Sequence, residues 1–191
     1  MTVALLFQIS LVVSQLALAG ALSVLIVKFV VVAISNGFDS PFLATPAAYL
    51  PLIADTLEIL PGDIVYDVGC GDGRLVFFCA ARYPHATFVG VERNPLLVAH
   101  ARMQKKIRGN LHNVSFRCED FFKTDLTDAT RVYAYLLPKT LNTLFPDTHV
   151  SGKKLLVSRA YQLSSRRPMT KVELSKTPGS HGEHLLYVYE I

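Results

Sequence analysis

The apolar positions of this chain fall into two regimes. Between Met1 and Val27 no side chain carries a charge, and Lys28 is the only charged one before Asp39. The 25 residues from Val3 to Val27 would span roughly 37 Å as a helix, enough to cross a ~30 Å hydrocarbon layer with some tilt. A transmembrane helix is therefore expected, with Lys28 snorkelling to the interface and Phe29 to Ile34 continuing along it. A cleaved signal peptide processed at Ala17-Leu18-Ala19 would lack a basic start and leave ALSVLIVKFVVVAI still exposed. A buried core helix would run unusually long without polar relief. The expected organisation is an anchor at 1–34, a linker at 35–40 (SNGFDS) and a domain at 41–191.

Beyond the linker the hydrophobic period shortens. In PFLATPAAYLPLIADTLEIL, Thr45 is placed to cap a helix opened by Pro46, with Pro51 in its first turns or restarting it. Leu52, Ile53, Thr56, Leu57 and Leu60 then share one helical face. Pro61-Gly62-Asp63 turns the chain. Strands are expected at Ile64 to Val68, Thr87 to Val91, Val114 to Arg117, Arg131 to Leu136 and Lys154 to Ser158. Helices intervene at Gly73 to Arg82 and from the Asn94-Pro95 cap to Gly109. Lys171 to Leu174 and Leu185 to Glu190, linked through TPGSHG, read as a hairpin. The fold class is α/β: a mostly parallel sheet with helices on both faces, an antiparallel C-terminal edge hairpin, and one N-terminal transmembrane helix ahead of it.

Composition narrows the partners. At 191 residues, 51% of them apolar, the chain suits one domain plus an anchor. Cys70, Cys79 and Cys118 form no CxxC and have no clustered histidines, so neither a disulfide framework nor a metal site is indicated. The net charge of +4 is modest, and no block of like charge announces nucleic acid. Most Lys and Arg follow the apolar helix, which favours the domain on the cytoplasmic or matrix side of the membrane. Lys153, Lys154, Arg159, Arg166, Arg167 and Lys171 concentrate positive charge late in the chain, as a solvated face or as one turned to headgroups or a partner.

The chemistry lies in YDVGCGDGRL. Gly69, Gly71 and Gly73 fall where the first strand ends and its helix begins, the position at which open α/β sheets bind ligands. Bare backbone there lets a ligand approach closely. The third glycine comes one residue earlier than in the dinucleotide spacing G-x-G-x-x-G, and Asp67 sits just before the first. A carboxylate there repels a pyrophosphate but attracts an ammonium group. Glu92 ends the second strand, 19 residues past Gly73, where it can accept hydrogen bonds from both hydroxyls of a ribose. Cys118-Glu119-Asp120-Phe121 ends the next, offering Asp120 to an exocyclic amine and Phe121 as an aromatic face or as packing. Amino acid, ribose and adenine together describe S-adenosyl-L-methionine.

With these residues in view, the chain resembles the class I S-adenosylmethionine-dependent methyltransferases, whose fold is a Rossmann-like sheet. Within them it is similar to the small membrane-anchored protein-lysine methyltransferases acting on the ATP synthase c subunit and the adenine nucleotide translocase. The likeness rests on the apolar N-terminal helix, Pro41-Phe42-Leu43-Ala44-Thr45, DVGCGDGRLV, VGVERNPLLVAHAR, the ED pair before an aromatic and Lys123, and Tyr135-Leu136-Leu137-Pro138. It implies cofactor binding by Asp67, Gly69, Gly71, Glu92 and Asp120, with the target entering near Thr45 and Tyr135 to Pro138. The helix that usually precedes the terminal hairpin is reduced to YQLSSRRP.

The expected reaction is direct transfer of the sulfonium methyl to a nucleophile held in line, chiefly a lysine of a membrane or membrane-associated protein. Such a step requires no particular side chain as base, so no catalytic residue is assigned. A lipid, quinone or other small hydrophobic acceptor is a second reading, and a cofactor-binding regulator or assembly factor without turnover is a third.

Overall fold

The computed structural model describes residues 2–35, 43–109, 111–146, 154–174 and 184–191. The linker residues 36–40, Pro41 and Phe42 of the entry stretch, Lys153 and the TPGSHG turn lie outside these. By contacts the chain divides into two compact units, Met1–Pro41 and Phe42–Ile191.

The first unit is a single helix, α1 (Thr2–Ser35). It contains no proline, and the Ser14 and Ser23 hydroxyls fold back onto the Leu11 and Ala19 carbonyls at 2.8 Å each, so neither competes with the helix. Within it, Phe7–Lys28 is long and apolar enough to cross a membrane, with a mean hydropathy of 2.2.

The second unit holds a seven-stranded sheet in the order β3-β2-β1-β4-β5-β7-β6. The strands are β1 (Ile64–Val68), β2 (Thr87–Glu92), β3 (Val114–Cys118), β4 (Arg131–Ala134), β5 (Leu155–Arg159), β6 (Thr170–Glu173) and β7 (Leu185–Glu190). The first five are parallel; β7 runs antiparallel to both β5 and β6, forming the expected edge hairpin. Helices α2 (Leu50–Thr56), α3 (Arg74–Arg82), α4 (Pro95–Ile107) and α5 (Pro138–Leu144) complete the unit.

Alternation along the strands builds two cores. Val65 packs with Ile53, Leu57, Val76, Phe77, Phe88 and Val98 on one face. Tyr66 and Val68 pack with Val91, Val132, Leu141, Leu156 and Tyr189 on the other. Asp67 breaks the pattern: it lies beneath the first core at 6% exposure. The strand order reverses between β1 and β4, which opens a crevice at their carboxyl ends.

Three local expectations are corrected. Thr45 caps no helix; Pro46 precedes a 3-10 turn (Ala47–Tyr49), and α2 follows with Pro51 in its first turn. Leu60 is 60% exposed, because α2 ends at Thr56 and Glu58 takes a left-handed φ of +48°, which turns Ile59 inward in its place. Strand β4 stops at Ala134, leaving Tyr135 and Leu136 beyond it, and α5, which the sequence pattern did not assign, begins at Pro138. The late basic cluster also divides. Lys154 and Arg159 are 4% and 3% exposed, with the Lys154 ammonium donating to the Leu126 and Thr127 carbonyls, so these two form no solvated face.

Candidate functional site

The glycine loop is held from below by its neighbour strand. The Gly69 and Cys70 amides donate to the Val91 carbonyl at 2.8 and 3.0 Å, and the Gly73 amide donates to the Cys70 carbonyl at 2.9 Å. Gly73 caps α3 with φ +77°, and a Cβ there would stand 2.6 Å from the Phe116 ring. Part of the glycine requirement is thus internal packing. Gly90 adds to it unannounced by any motif: its Cβ would meet Phe116 at 2.7 Å and the Cys70 sulfur at 2.8 Å.

Glu92 connects three elements. Its Oε2 accepts from the Gly71 amide at 3.0 Å and its Oε1 from the Asn94 amide at 2.8 Å, while its carbonyl accepts from the Glu119 amide at 3.2 Å. Each carboxylate oxygen retains a second lone pair, so Glu92 can fix the loop and still receive hydroxyls. Asn94 caps α4 through Leu96 at 3.0 Å. Asp120 caps a 3-10 turn (Phe121–Lys123) with Oδ1 on the Phe122 amide at 3.1 Å. No donor among the described residues meets its Oδ2. Phe121 is 8% exposed within the second core, whereas Phe122, 4.9 Å from it between ring centres, is 41% exposed. The aromatic surface open to solvent here is therefore Phe122.

Asp67 is the anomaly of the site. No hydrogen bond or ion pair reaches its carboxylate among the described residues. Burial, then the like charges of Glu92 and Asp72, push its pKa up to about 8. It lines a small cavity with Leu57, Val65, Leu75, Val76, Cys79, Phe88 and Tyr133. Among the described residues the buried Tyr133 hydroxyl has no partner at hydrogen-bond distance; burial, reinforced by Asp67, raises its pKa, with the nearby Arg159 charge and Thr45 hydroxyl opposing. A buried carboxylate with no donor is costly unless something cationic completes it. An ammonium group fits that need; a phosphate does not. Asp72, by contrast, is satisfied: although burial works against it, the Arg74 guanidinium at 2.5 Å holds its carboxyl below the usual range.

The side of the crevice across from Glu92 is built on arginines. Leu136 lies 3.0 Å from where a Gly69 Cβ would be, so the Tyr135–Pro138 stretch abuts the loop. Leu137 and Pro138 open α5. Arg159, at the end of β5, sits 4.3 Å from the Tyr135 ring centre and 5.2 Å from that of Tyr49, and donates to the Thr45 hydroxyl at 3.1 Å. Arg74 donates to the Thr45 carbonyl at 2.9 Å. A contiguous rim results, running from Glu119 through Glu92, the loop and Leu136 to Tyr135, Arg159, Thr45 and back to Arg74.

The rim brings together the sequence-derived residues Thr45, Asp67, Gly69, Gly71, Gly73, Glu92 and Tyr135 to Pro138, with Asp120 beside Glu119 at the same strand ends. Phe121 is turned into the core. Sequence reasoning missed the roles of Arg74, Arg159, Tyr49 and Gly90. Arg74 carries a faint signal, a cation in the first turn of a helix against the dipole. Arg159 carries none. Among the described residues no cluster of His, Cys, Asp or Glu suits a metal ion.

Comparison with known proteins gives concordant matches. A profile of the ANTKMT methyltransferase domain matches residues 67–170. A protein-lysine N-methyltransferase of Saccharolobus islandicus is 29% identical over 159 residues, covering 79% of this chain and 93% of that one. The adenine nucleotide translocase lysine N-methyltransferase of Mus musculus is 32% identical over 104 residues, 54% of this chain and 44% of the mouse protein. A crystal structure described as an RNA methyltransferase from Salinibacter ruber, in complex with S-adenosyl-L-homocysteine, is 30% identical with a TM-score of 0.69, covering 78% of this chain and 94% of that one.

Proposed function

Because this chain belongs to the family of the ANTKMT methyltransferase domain, we propose that it methylates lysine side chains of a protein in or beside a membrane, to which its own N-terminal helix tethers it. It is an enzyme of S-adenosylmethionine-dependent methyl transfer. The uncompensated Asp67 carboxylate beneath the glycine loop carries the assignment of the donor pocket. In this reading Asp67 receives the amino-acid ammonium and Gly69, Gly71 and Gly73 supply close backbone. Glu92 accepts from the ribose hydroxyls, and Asp120 accepts from the adenine amine. The sulfonium supplies an already activated methyl group, so the protein's task is alignment.

Lysine supports the acceptor role through the relatives' printed activities. The chain spans 93% of the archaeal relative but under half of the mouse one, so the chemistry transfers more fully than the target. A lysine has a pKa of about 10.4, which leaves roughly one amine in a thousand neutral near pH 7.4, a deficit of about 4 kcal/mol. The buried Arg159 guanidinium, held between Tyr49 and Tyr135, places a fixed positive charge at the acceptor edge. A cation there favours the neutral amine that attacks. The anchor raises the effective concentration of a membrane target, and the basic residues after it favour the cytoplasmic or matrix side.

Incubating the full chain in detergent with radiolabelled S-adenosylmethionine and native membranes tests this reading. The expected product is a labelled membrane protein carrying methylated lysine by mass spectrometry. Label in the organic extract instead would assign a lipid or quinone acceptor, and label in added RNA would assign the chemistry named for the Salinibacter structure. Glu92→Gln is expected to weaken cofactor binding by about 1 to 3 kcal/mol, since the amide cannot accept at both oxygens. Unchanged calorimetric affinity would remove the ribose assignment.

A further inference from the structure

Positive charge gathers in two acid-free stretches, the late one at 148–172 and an earlier one on a helix. Residues 93–108 contain Arg93, Arg102, Lys105, Lys106 and Arg108 and no acid, so they carry +5 while the other residues sum to −1. Most of this segment is α4. On the same helix Leu96, Met103 and Ile107 are exposed by 48%, 51% and 69%. Their spacing of seven and four residues sets them on one stripe about 40° wide, with His100 between them and Lys106 and Arg102 along one flank. Among the described residues none of Arg102, Lys105, Lys106 and Arg108 pairs with a carboxylate. Arg102 and Lys105 instead donate to the Phe116 and Val114 carbonyls, satisfying their geometry without cancelling their charge.

We propose that this face of α4 is a second membrane contact, which seats the catalytic domain on an anionic bilayer surface. Aliphatic side chains in line, flanked by cations and free of acids, match the boundary between acyl chains and anionic headgroups. The apolar stripe is what favours lipid over nucleic acid: RNA would be met by the cations but gains nothing from Leu96, Met103 and Ile107, and no aromatic lies on the stripe for a base to stack on. Docking here would bear directly on the site, since Asn94 caps α4 and is bound to Glu92 at 2.8 Å. The inference rests on the proposed membrane residence of the chain, and the experiment separates the two.

The full chain carrying Cys118→Ser and Met103→Cys, labelled at position 103 with an environment-sensitive fluorophore, is incorporated into nanodiscs of phosphatidylcholine alone or with phosphatidylglycerol. Cys70 and Cys79 are buried and escape the label. Co-elution with the discs reports the anchor; the fluorophore reports α4. On anionic discs the label should shift to the blue and resist acrylamide, and on neutral discs it should not. Each charge near such a surface shifts docking about fivefold, so Lys106→Glu should lower the docked fraction's ratio about 25-fold. Ile107→Ser, also at an exposed position, should lower it independently. Equal quenching on both lipids overturns the proposal even if the chain co-elutes, and shielding by added RNA but not by lipid overturns it too. If the chain fails to co-elute, the anchor reading fails, and sedimentation with vesicles of the same two compositions decides α4 alone.

Discussion

S-adenosylmethionine binding to the intact chain is expected to be tightest near pH 8, where Asp67 titrates, and to release about one proton per molecule bound near pH 6.5. Buried and without a donor, Asp67 is neutral in the empty chain below that point. Seating an ammonium beside it requires the charged form, so affinity should fall about tenfold for each pH unit below 8. Above 8 the ligand's own amino group, with an ordinary pKa of about 7.7 to 8.0, loses its proton and affinity falls again. Calorimetry in two buffers of different ionisation heat counts the protons, and no release near pH 6.5 would sink the assignment. Asp67→Asn should abolish the low-pH arm and weaken binding by about 3 kcal/mol, because a buried ammonium is left unpaired.

The same residue sets the stability of the empty chain, with the opposite sign to a paired carboxylate. Its folded pKa of about 8 lies above the ordinary 3.8, so the folded state holds the proton more tightly than the unfolded one. Asp67 therefore costs nothing below pH 4 and progressively more up to pH 8, reaching about 5 kcal/mol. Asp67→Asn should flatten that part of the pH profile in thermal unfolding, and a saturating cofactor should restore stability at pH 8.

Gly73→Ala is the second large effect expected, about 3 kcal/mol of lost stability with weakened cofactor binding. Two costs combine: a φ of +77° that a Cβ disfavours, and a Cβ 2.6 Å from Phe116. The Phe77 ring, 5.3 Å from Phe116 centre to centre and 3.4 Å from the same Cβ, closes the other side of the space the methyl would need. Adding Phe116→Leu should return the clash component and leave the backbone component. The double variant should thus be less destabilised than the two single losses added together. Strict additivity in urea unfolding would show that the ring is not the obstacle.

The sheet was legible because its strands are short apolar blocks punctuated by strong signals: β1 and β7 lie at the expected residues, and the Asn94 cap and Gly109 stop bound α4. Local chemistry also announced the glycine-loop half of the site, since Asp67 and Glu92 lie at the carboxyl ends of β1 and β2 and the glycines follow β1 directly. What sequence did not reveal depends on long-range contact. Arg159 is 114 residues from Thr45 and looked like one more surface cation, yet the sheet brings it between two tyrosines. Helix α5 is a polar seven-residue stretch, too short for a hydrophobic period to stand out. Leu60 fitted a helical face only while the helix was assumed to continue past Thr56, and the left-handed Glu58 ends that continuity.

Thr45 is gripped twice, its carbonyl by Arg74 and its hydroxyl by Arg159. Arg74 also grips Asp72 inside the glycine loop. The stretch around Thr45 and the glycine loop are consequently tied together through a single guanidinium. Loss of the Arg74 guanidinium is therefore expected to be felt at Thr45 and at the glycine loop together.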